Sequence, residues 1–285
     1  MIVVNLKGGL GNQLFQYSLG YSLSKIHCKE LVFNTTSYKD EQNGRTLDIS
    51  NLNINLNIVD NISNRNRFRF EHPLLNQLTS ILSFKFDYHF ESTVNSFNPK
   101  ILRYNNGYFD GYWQSEEYFK DFYNDLRKMF APKIIRDSVN SQLNTIVGET
   151  YVSLHIRRTD YLNEKNANLY ATCSLDYYKK AINIMKNNVK NFKVIVFSDD
   201  YEWVKNQLDI GLSFETASRS NSAVEDLFLM SNCSHNIIAN SSFSWWAAWL
   251  NGNLEKLIIA PKLYYQKKSM RKINIFPNDW IRLDN

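Results

Sequence analysis

Apolar positions follow two regimes along the chain, and the change falls near residue 150. In the first regime a short apolar run, Ile2 to Leu6, precedes Gly8-Gly9-Leu10-Gly11. Phe15, Leu19, Leu23 and Ile26 then recur at near-helical spacing, which predicts a strand, a Gly-rich turn and a helix. Leu31-Val32-Phe33 reads as a second strand, whereas residues 40–106 are rich in Asn and Ser, with periodicity too weak to give a topology. A strand or hairpin-like segment covers residues 107–113. A helix is expected from near Ser115, with Phe119, Phe122, Leu126 and Phe130 on its buried stripe and Pro132 at its end.

Beyond residue 150, strand and helix patterns alternate at the spacing of βαβ units. Strands are expected over residues 151–156, 193–197, 212–214, 236–239 and 257–260, and helices over 176–187, 200–208, 223–232 and 243–250. This predicts a doubly wound parallel sheet with its ligand beyond the carboxyl ends of the strands. Residues 132–149 read as a linker, giving an N-terminal domain over 1–140 and a C-terminal domain over 141–285.

A chain of 285 residues suits two cores of ordinary size. The formal charge of +5 favours anionic partners without separating a phosphate ligand from an acidic membrane surface. Lys and Arg are scattered, with no basic stripe interleaved with aromatics, which argues against nucleic-acid binding. Cys28, Cys173 and Cys233 are odd in number and lack paired spacing, arguing against a disulfide framework or a Cys-rich zinc site and for a reducing compartment. With no basic leader, and no apolar run longer than Trp245 to Leu250, a cytoplasmic protein is expected. The pairs Lys267-Lys268 and Arg271-Lys272 leave peripheral membrane contact open, although such runs are ordinarily solvated faces.

Four segments carry candidate chemistry. At the end of a strand stands His155-Ile156-Arg157-Arg158-Thr159-Asp160. Strand alternation sends His155 and Arg157 to one face and Arg158 to the other, so one guanidinium can enter a ligand crevice while the other braces the loop. Arginine suits phosphate because its planar fork binds oxygens in pairs and stays charged, although surface ion pairing explains two arginines as well. Asn240-Ser241-Ser242-Phe243-Ser244 opens a helix, where free N–H groups and hydroxyls accept an anion or simply cap the helix. Phe197-Ser198-Asp199-Asp200 offers acids for a ribose, a base or a metal, with helix capping the plainest role for Asp200. Asp226 reads by default as an exposed helix acid, with a purine contact as the sharper alternative. In the first turn Gly9 and Gly11 allow close backbone approach, and Asn12 and Gln13 bring amides to the helix start. No Gly-Lys-Ser/Thr follows, so this is not a kinase-type phosphate loop.

In this order the segments, together with Gly111-Tyr112-Trp113-Gln114-Ser115-Glu116 and Asn240-Ser241-Ser242-Phe243-Ser244-Trp245-Trp246, resemble the bacterial α-1,2-fucosyltransferases of glycosyltransferase family 11. The resemblance covers most of the chain except residues 40–106. It implies an α/β fold of the GT-B kind, with two Rossmann-type lobes and the ligand cleft between them. The acceptor would lie mainly against residues 1–140 and the donor against 141–285. The implied reaction moves L-fucose from GDP-β-L-fucose to the 2-hydroxyl of a galactose-containing oligosaccharide or lipid-linked glycan, with inversion and no obligatory metal or other cofactor. The setting would be surface-glycan synthesis at the cytoplasmic side of the inner membrane.

By resemblance His155 and Asp226 are nucleotide contacts, Ser241 and Ser242 with the following N–H groups are phosphate donors, and Asn12 reaches the donor from the other lobe. Gly9, Gly11, Gln13, Arg158, Asp199, Asn240, Phe243 and Ser244 complete the expected donor site. Negative charge grows on the departing GDP in such a transfer, which makes Arg157 the candidate for stabilising the transition state. Asp160 is expected to orient the arginine loop or stabilise its turn. Asp48, Asp110 and Glu116 are open as the general base, and none has a distinguishing context. Transfer to another position, as in α-1,6 or O-fucosylation, and a non-catalytic sugar-binding protein are the alternatives.

Overall fold

β1 (Ile2–Asn5) buries Ile2, Val3 and Val4 completely, as a strand covered on both faces must. The computed structural model describes residues 1–39, 44–59, 87–91, 96–159, 161–162, 168–270 and 275–285. Among these, β1 joins β2 (Leu31–Asn34), β3 (Tyr88–Phe90) and β4 (Gly107–Asp110) in a parallel sheet of order β2-β1-β4-β3. α1 (Leu10–His27) carries the chain from β1 to β2 and buries Leu14, Phe15, Leu19 and Leu23. Ile26, in its last turn, is exposed.

The second sheet has the order β10-β9-β8-β5-β6-β7 and is also parallel. Its strands are β5 (Tyr151–Ile156), β6 (Lys193–Ser198), β7 (Glu215–Thr216), β8 (His235–Ile237), β9 (Ile258–Pro261) and β10 (Ile281–Leu283). The described helices between them follow the predicted alternation.

Three expectations are corrected. The helix expected from Ser115 is two short 3-10 turns, Glu116–Tyr118 and Lys120–Phe122, followed by α2 (Tyr123–Met129). The backbone breaks at Phe119 (φ −150°), whose ring stacks on Trp246 at 5.1 Å, so tertiary packing overrides the local period. The supposed linker contains α3 (Asp137–Gly148), which buries Val139 and Ile146 and packs on the helix over 223–232. Arg136 anchors it there, with Nε 2.5 Å and Nη2 2.7 Å from the two carboxylate oxygens of Glu225. The strand expected at 212–214 lies instead at β7, pairing with Ile195 and Val196.

One core runs continuously from Ile2 and Phe15 in the first half to Trp245, Trp246 and Trp280 in the second. The tryptophans are packing residues: Phe15 lies 4.6 Å from Trp245 and 4.9 Å from Trp246, ring centre to ring centre. A second core of Val152, Leu154, Tyr177, Ile182, Val196 and their neighbours accompanies the second sheet.

Candidate active site

Each sheet places a change of direction at its middle. In the second sheet the chain builds outward from β5 through β6 to β7, then resumes on the other side of β5 at β8. In the first, β2 and β4 flank β1 in the same way. Loops leaving such a strand pair diverge and open a crevice beyond the carboxyl ends. Residues from all four of these loops line one cavity of roughly 630 Å³: Gly8–Gly11 after β1, Tyr112 and Gln114 after β4, Arg157 after β5, and Ser241–Phe243 after β8. That volume lies in the usual range for a small-molecule site.

Two helices begin at this junction, α1 and α4 (Ser242–Leu250). Gly8 turns the chain toward α1 with φ +82°, which favours glycine. Gly11 lies so close to the second helix that a Cβ there would meet the carbonyl carbon of Ser242 at 2.5 Å and the nitrogen of Phe243 at 2.6 Å. The first turns of both helices, Leu10–Asn12 and Ser242–Phe243, therefore share the cavity wall. Each brings N–H groups without intrahelical partners and a partial positive charge. The Ser241 hydroxyl accepts from the Phe243 N–H at 3.3 Å.

Arg157 adds a full charge. Its Nη1 is 3.3 Å from Asp199 Oδ2, and its guanidinium lies 5.9 Å from the Tyr161 ring centre. Asp199 also accepts from the Arg158 N–H (2.9 Å), the Thr159 N–H (3.2 Å) and the Thr159 hydroxyl (2.6 Å), so it holds the whole arginine loop. Asp160, expected to orient that loop, lies outside the described residues. Arg158 departs from the cavity: its Nε is 3.3 Å from Asp200 Oδ2 and its guanidinium covers Trp203 at 4.4 Å. Asp200 caps the helix Tyr201–Gln207, accepting from the Trp203 N–H at 3.0 Å.

His155 is buried beside the Phe243 ring, 5.5 Å between centres. Burial, helped by Arg157, pushes its pKa down to about 3, so the imidazole is neutral near pH 7. Its Nδ1 is buried without a hydrogen-bond partner among the described residues. Asp226 is half-buried, contrary to its default reading as an exposed acid, and burial raises its pKa to about 6. It accepts from Asn221 Nδ2 at 2.9 Å and sits one helical turn from Ala223, which lines the cavity.

The remaining candidates divide. Gly9, Gly11 and Asn12 line the cavity, and Asn12 Oδ1 accepts from Gln114 Nε2 at 2.7 Å, tying the β1 loop to the β4 loop. Gln13, fully buried, donates to the carbonyls of Gly8 (3.0 Å) and Thr46 (2.8 Å) and accepts from the Ile49 N–H (2.9 Å), so it is framework. Asn240 and Ser244 are also fully buried and brace the loop after β8. Asn240 donates to the Tyr264 carbonyl at 3.2 Å, and Ser244 to the Ala239 carbonyl at 3.3 Å.

Sequence reasoning missed part of the wall. Arg45 reaches toward Gly9, in the same segment as Asp48, one of the three acids open as the general base. Tyr161, Tyr170 and Tyr265 form a stacked series, with centres 4.5 Å and then 5.6 Å apart, along another part of the lining. The Tyr264-Tyr265 pair just after a strand end was a signal available to find this series; Arg45 had none.

With this geometry established, the sequence profile described as Glycosyl transferase family 11 matches residues 1–284. The chain belongs to glycosyltransferase family 11. Its family relatives include an alpha-1,2-colitosyltransferase of Escherichia coli, 32% identical over 296 residues that span 100% of this chain and 99% of the relative. The O-antigen biosynthesis glycosyltransferase WbnK of Escherichia coli is 30% identical over 98% of this chain and 99% of its own length. A galactoside 2-alpha-L-fucosyltransferase of Mus musculus, Sec1, is 23% identical over 88% of this chain and 65% of its own length. Among solved structures, a glycosyltransferase family 9 protein of Veillonella parvula superposes with a TM-score of 0.51 at 10% identity, covering 100% of this chain and 86% of its own. POFUT1 in complex with GDP gives 0.50 at 13% identity, covering 90% and 97%. These structural likenesses concern the fold, and this family 11 chain is GT-B-like, with the cavity between two Rossmann-type sheets.

Proposed function

We propose that the chain transfers L-fucose from GDP-β-L-fucose to the 2-hydroxyl of a galactose-type acceptor, with inversion and without a metal. The observation that carries this reading is the meeting of Arg157 with the first turns of two helices in one cavity. Such a junction suits a pyrophosphate. As the sugar–oxygen bond breaks, charge grows on the leaving diphosphate. A cation already oriented by Asp199 then stabilises the transition state more than the ground state. The unpartnered Nδ1 of His155 and the half-buried carboxylate of Asp226 suit polar groups of a nucleotide. Metal independence is supported by the engagement of Asp199 and Asp200 with the arginine loop and a helix cap. The α-1,2 linkage rests on relatives whose names carry it, and the acceptor is a surface glycan, free or lipid-linked. Among the described residues no helix is long and apolar enough to cross a membrane.

The name of the Escherichia coli colitosyltransferase favours a second reading, in which the same site takes a colitosyl donor. The deciding experiment offers purified protein radiolabelled GDP-fucose, or a colitosyl donor, with galactose-terminated oligosaccharides in excess EDTA. Linkage analysis of the product is expected to find a fucosyl residue on O2 of galactose. A 6-O-linked product, hydrolysis without transfer, or metal-reversible loss of activity contradicts the proposal.

A further inference from the structure

Inverting transfer to a hydroxyl is assisted by a group that takes the acceptor proton, and three acids of the first half are open for that role. Two have other work. Asp110 is 2.7 Å from Lys7 Nζ and accepts from Asn5 (3.0 Å) and the Tyr88 hydroxyl (2.8 Å); Lys7 foremost among these partners holds its pKa down against the effect of burial. Glu116 accepts from Trp249 Nε1 at 3.1 Å, at the end of α4 remote from the cavity. Neither lines the cavity. Asp48 does, and it is the sole carboxylate among the described lining residues. One of its oxygens accepts from the Thr46 hydroxyl at 2.7 Å, and no other hydrogen bond reaches the carboxylate among the described residues.

Among the described residues, Arg45, Tyr38 and Tyr112 are charged or titratable groups that share the surroundings of Asp48. Arg45 and Tyr112 share the lining, and all three of Asp48, Arg45 and Tyr112 act electrostatically on the Tyr38 hydroxyl, which donates to the Gly8 carbonyl at 2.8 Å. The segment is fixed from behind by Gln13, which bonds both the Thr46 carbonyl and the Ile49 N–H. Arg157 and the Ser241-Ser242 turn come from the second sheet and Asp48 from the first half of the chain. Leaving group and acceptor can thus be served by separate elements, as displacement with inversion requires.

We infer that Asp48 is the general base that accepts the proton of the acceptor hydroxyl, an inference that rests on the glycosyl-transfer reading above. The acceptor oxygen bonds to the anomeric carbon while the bond from that carbon to the β-phosphate oxygen breaks. The electron pair leaves with GDP, and the proton passes to the Asp48 carboxylate and then to water.

The test compares Asp48→Asn with wild type using GDP-fucose and a galactose-terminated acceptor, together with calorimetric titration of GDP. The amide variant is expected to lose on the order of a hundredfold or more in kcat and to bind GDP within about threefold of wild type. Turnover within about tenfold of wild type, or loss of GDP affinity in step with turnover, overturns the inference. If the amide variant does not fold, Asp48→Ser is read in the same way: a comparable loss in kcat with GDP binding kept is expected, and near-wild-type turnover is the overturning result. Wild type that transfers from neither donor overturns the transfer reading itself, whereas active wild type with an unaffected variant removes Asp48 alone.

Discussion

Arg157 is held in the cavity wall by Asp199, whose carboxylate bonds the two N–H groups and the hydroxyl that follow it. Removing the cation leaves this loop intact, so Arg157→Ala is expected to fold and to lose about a hundredfold or more in kcat, measured as initial transfer rate. Asp226 gives a prediction with a definite sign. Burial raises its pKa from the usual 3.8 to about 6, so the folded state holds the proton more tightly than the unfolded chain. Its stabilising contribution is complete below about pH 4 and is lost as pH rises through 6. Asp226→Asn is therefore expected to be more stable than wild type at pH 8, by up to about 3 kcal/mol, with the difference vanishing toward pH 4 in urea denaturation. Its affinity for GDP should fall about tenfold, because an amide is the weaker acceptor for N–H donors of a base. At this scale, residue type at a strand end made Arg157, Ser241 and Ser242 legible in the sequence. Arg45 was not, and Asp48 could not be told from Asp110 and Glu116, because what sets both apart is their place in the cavity lining beside the Gly8-Gly9 turn, which no local pattern encodes.

The helix start at Gly11 ties the two sheets together at the site. A methyl group there would press on the Ser242 and Phe243 backbone at 2.5–2.6 Å, and backbone at a helix N-terminus cannot move aside cheaply. Gly11→Ala is expected to cost about 1–3 kcal/mol in chemical denaturation and to weaken GDP binding. Gly9→Ala is the control: its Cβ would meet only Arg45 Nη1, at an ordinary 3.5 Å, and near-wild-type stability is expected. Elements with a strong period or alternation were readable in advance, including α1, β5 and the helix over 223–232. The helix expected from Ser115 failed because Phe119 turns out of its stripe to stack on Trp246, a contact across the molecule. α3 falls in the stretch expected to be a linker: Val139, Leu143 and Ile146 repeat at helical spacing, but only Val139 and Ile146 are buried and the rest of the helix is largely polar, so its stripe is thin.

The two sheets share packing and hydrogen bonds away from the cavity as well as at it. At the end of α4 far from the cavity, Tyr123 donates to the Asn251 carbonyl (3.0 Å) and Arg127 to the Leu250 carbonyl (3.2 Å). Arg136 grips Glu225 beside them in the chain, and the main core crosses between the halves. Calorimetry is expected to show one unfolding transition with equal calorimetric and van't Hoff enthalpies; two resolved transitions would refute a shared core. GDP at a hundred times its Kd should stabilise that transition by about 2.7 kcal/mol. The most direct test of the central claim, a diphosphate seated where both sheets change direction, is a crystal structure of the GDP complex. The account predicts β-phosphate oxygens within hydrogen-bonding distance of the Arg157 guanidinium and of N–H groups in the first turn of α4. A diphosphate outside the cavity bounded by Gly11, Arg157 and Ser242 would contradict it.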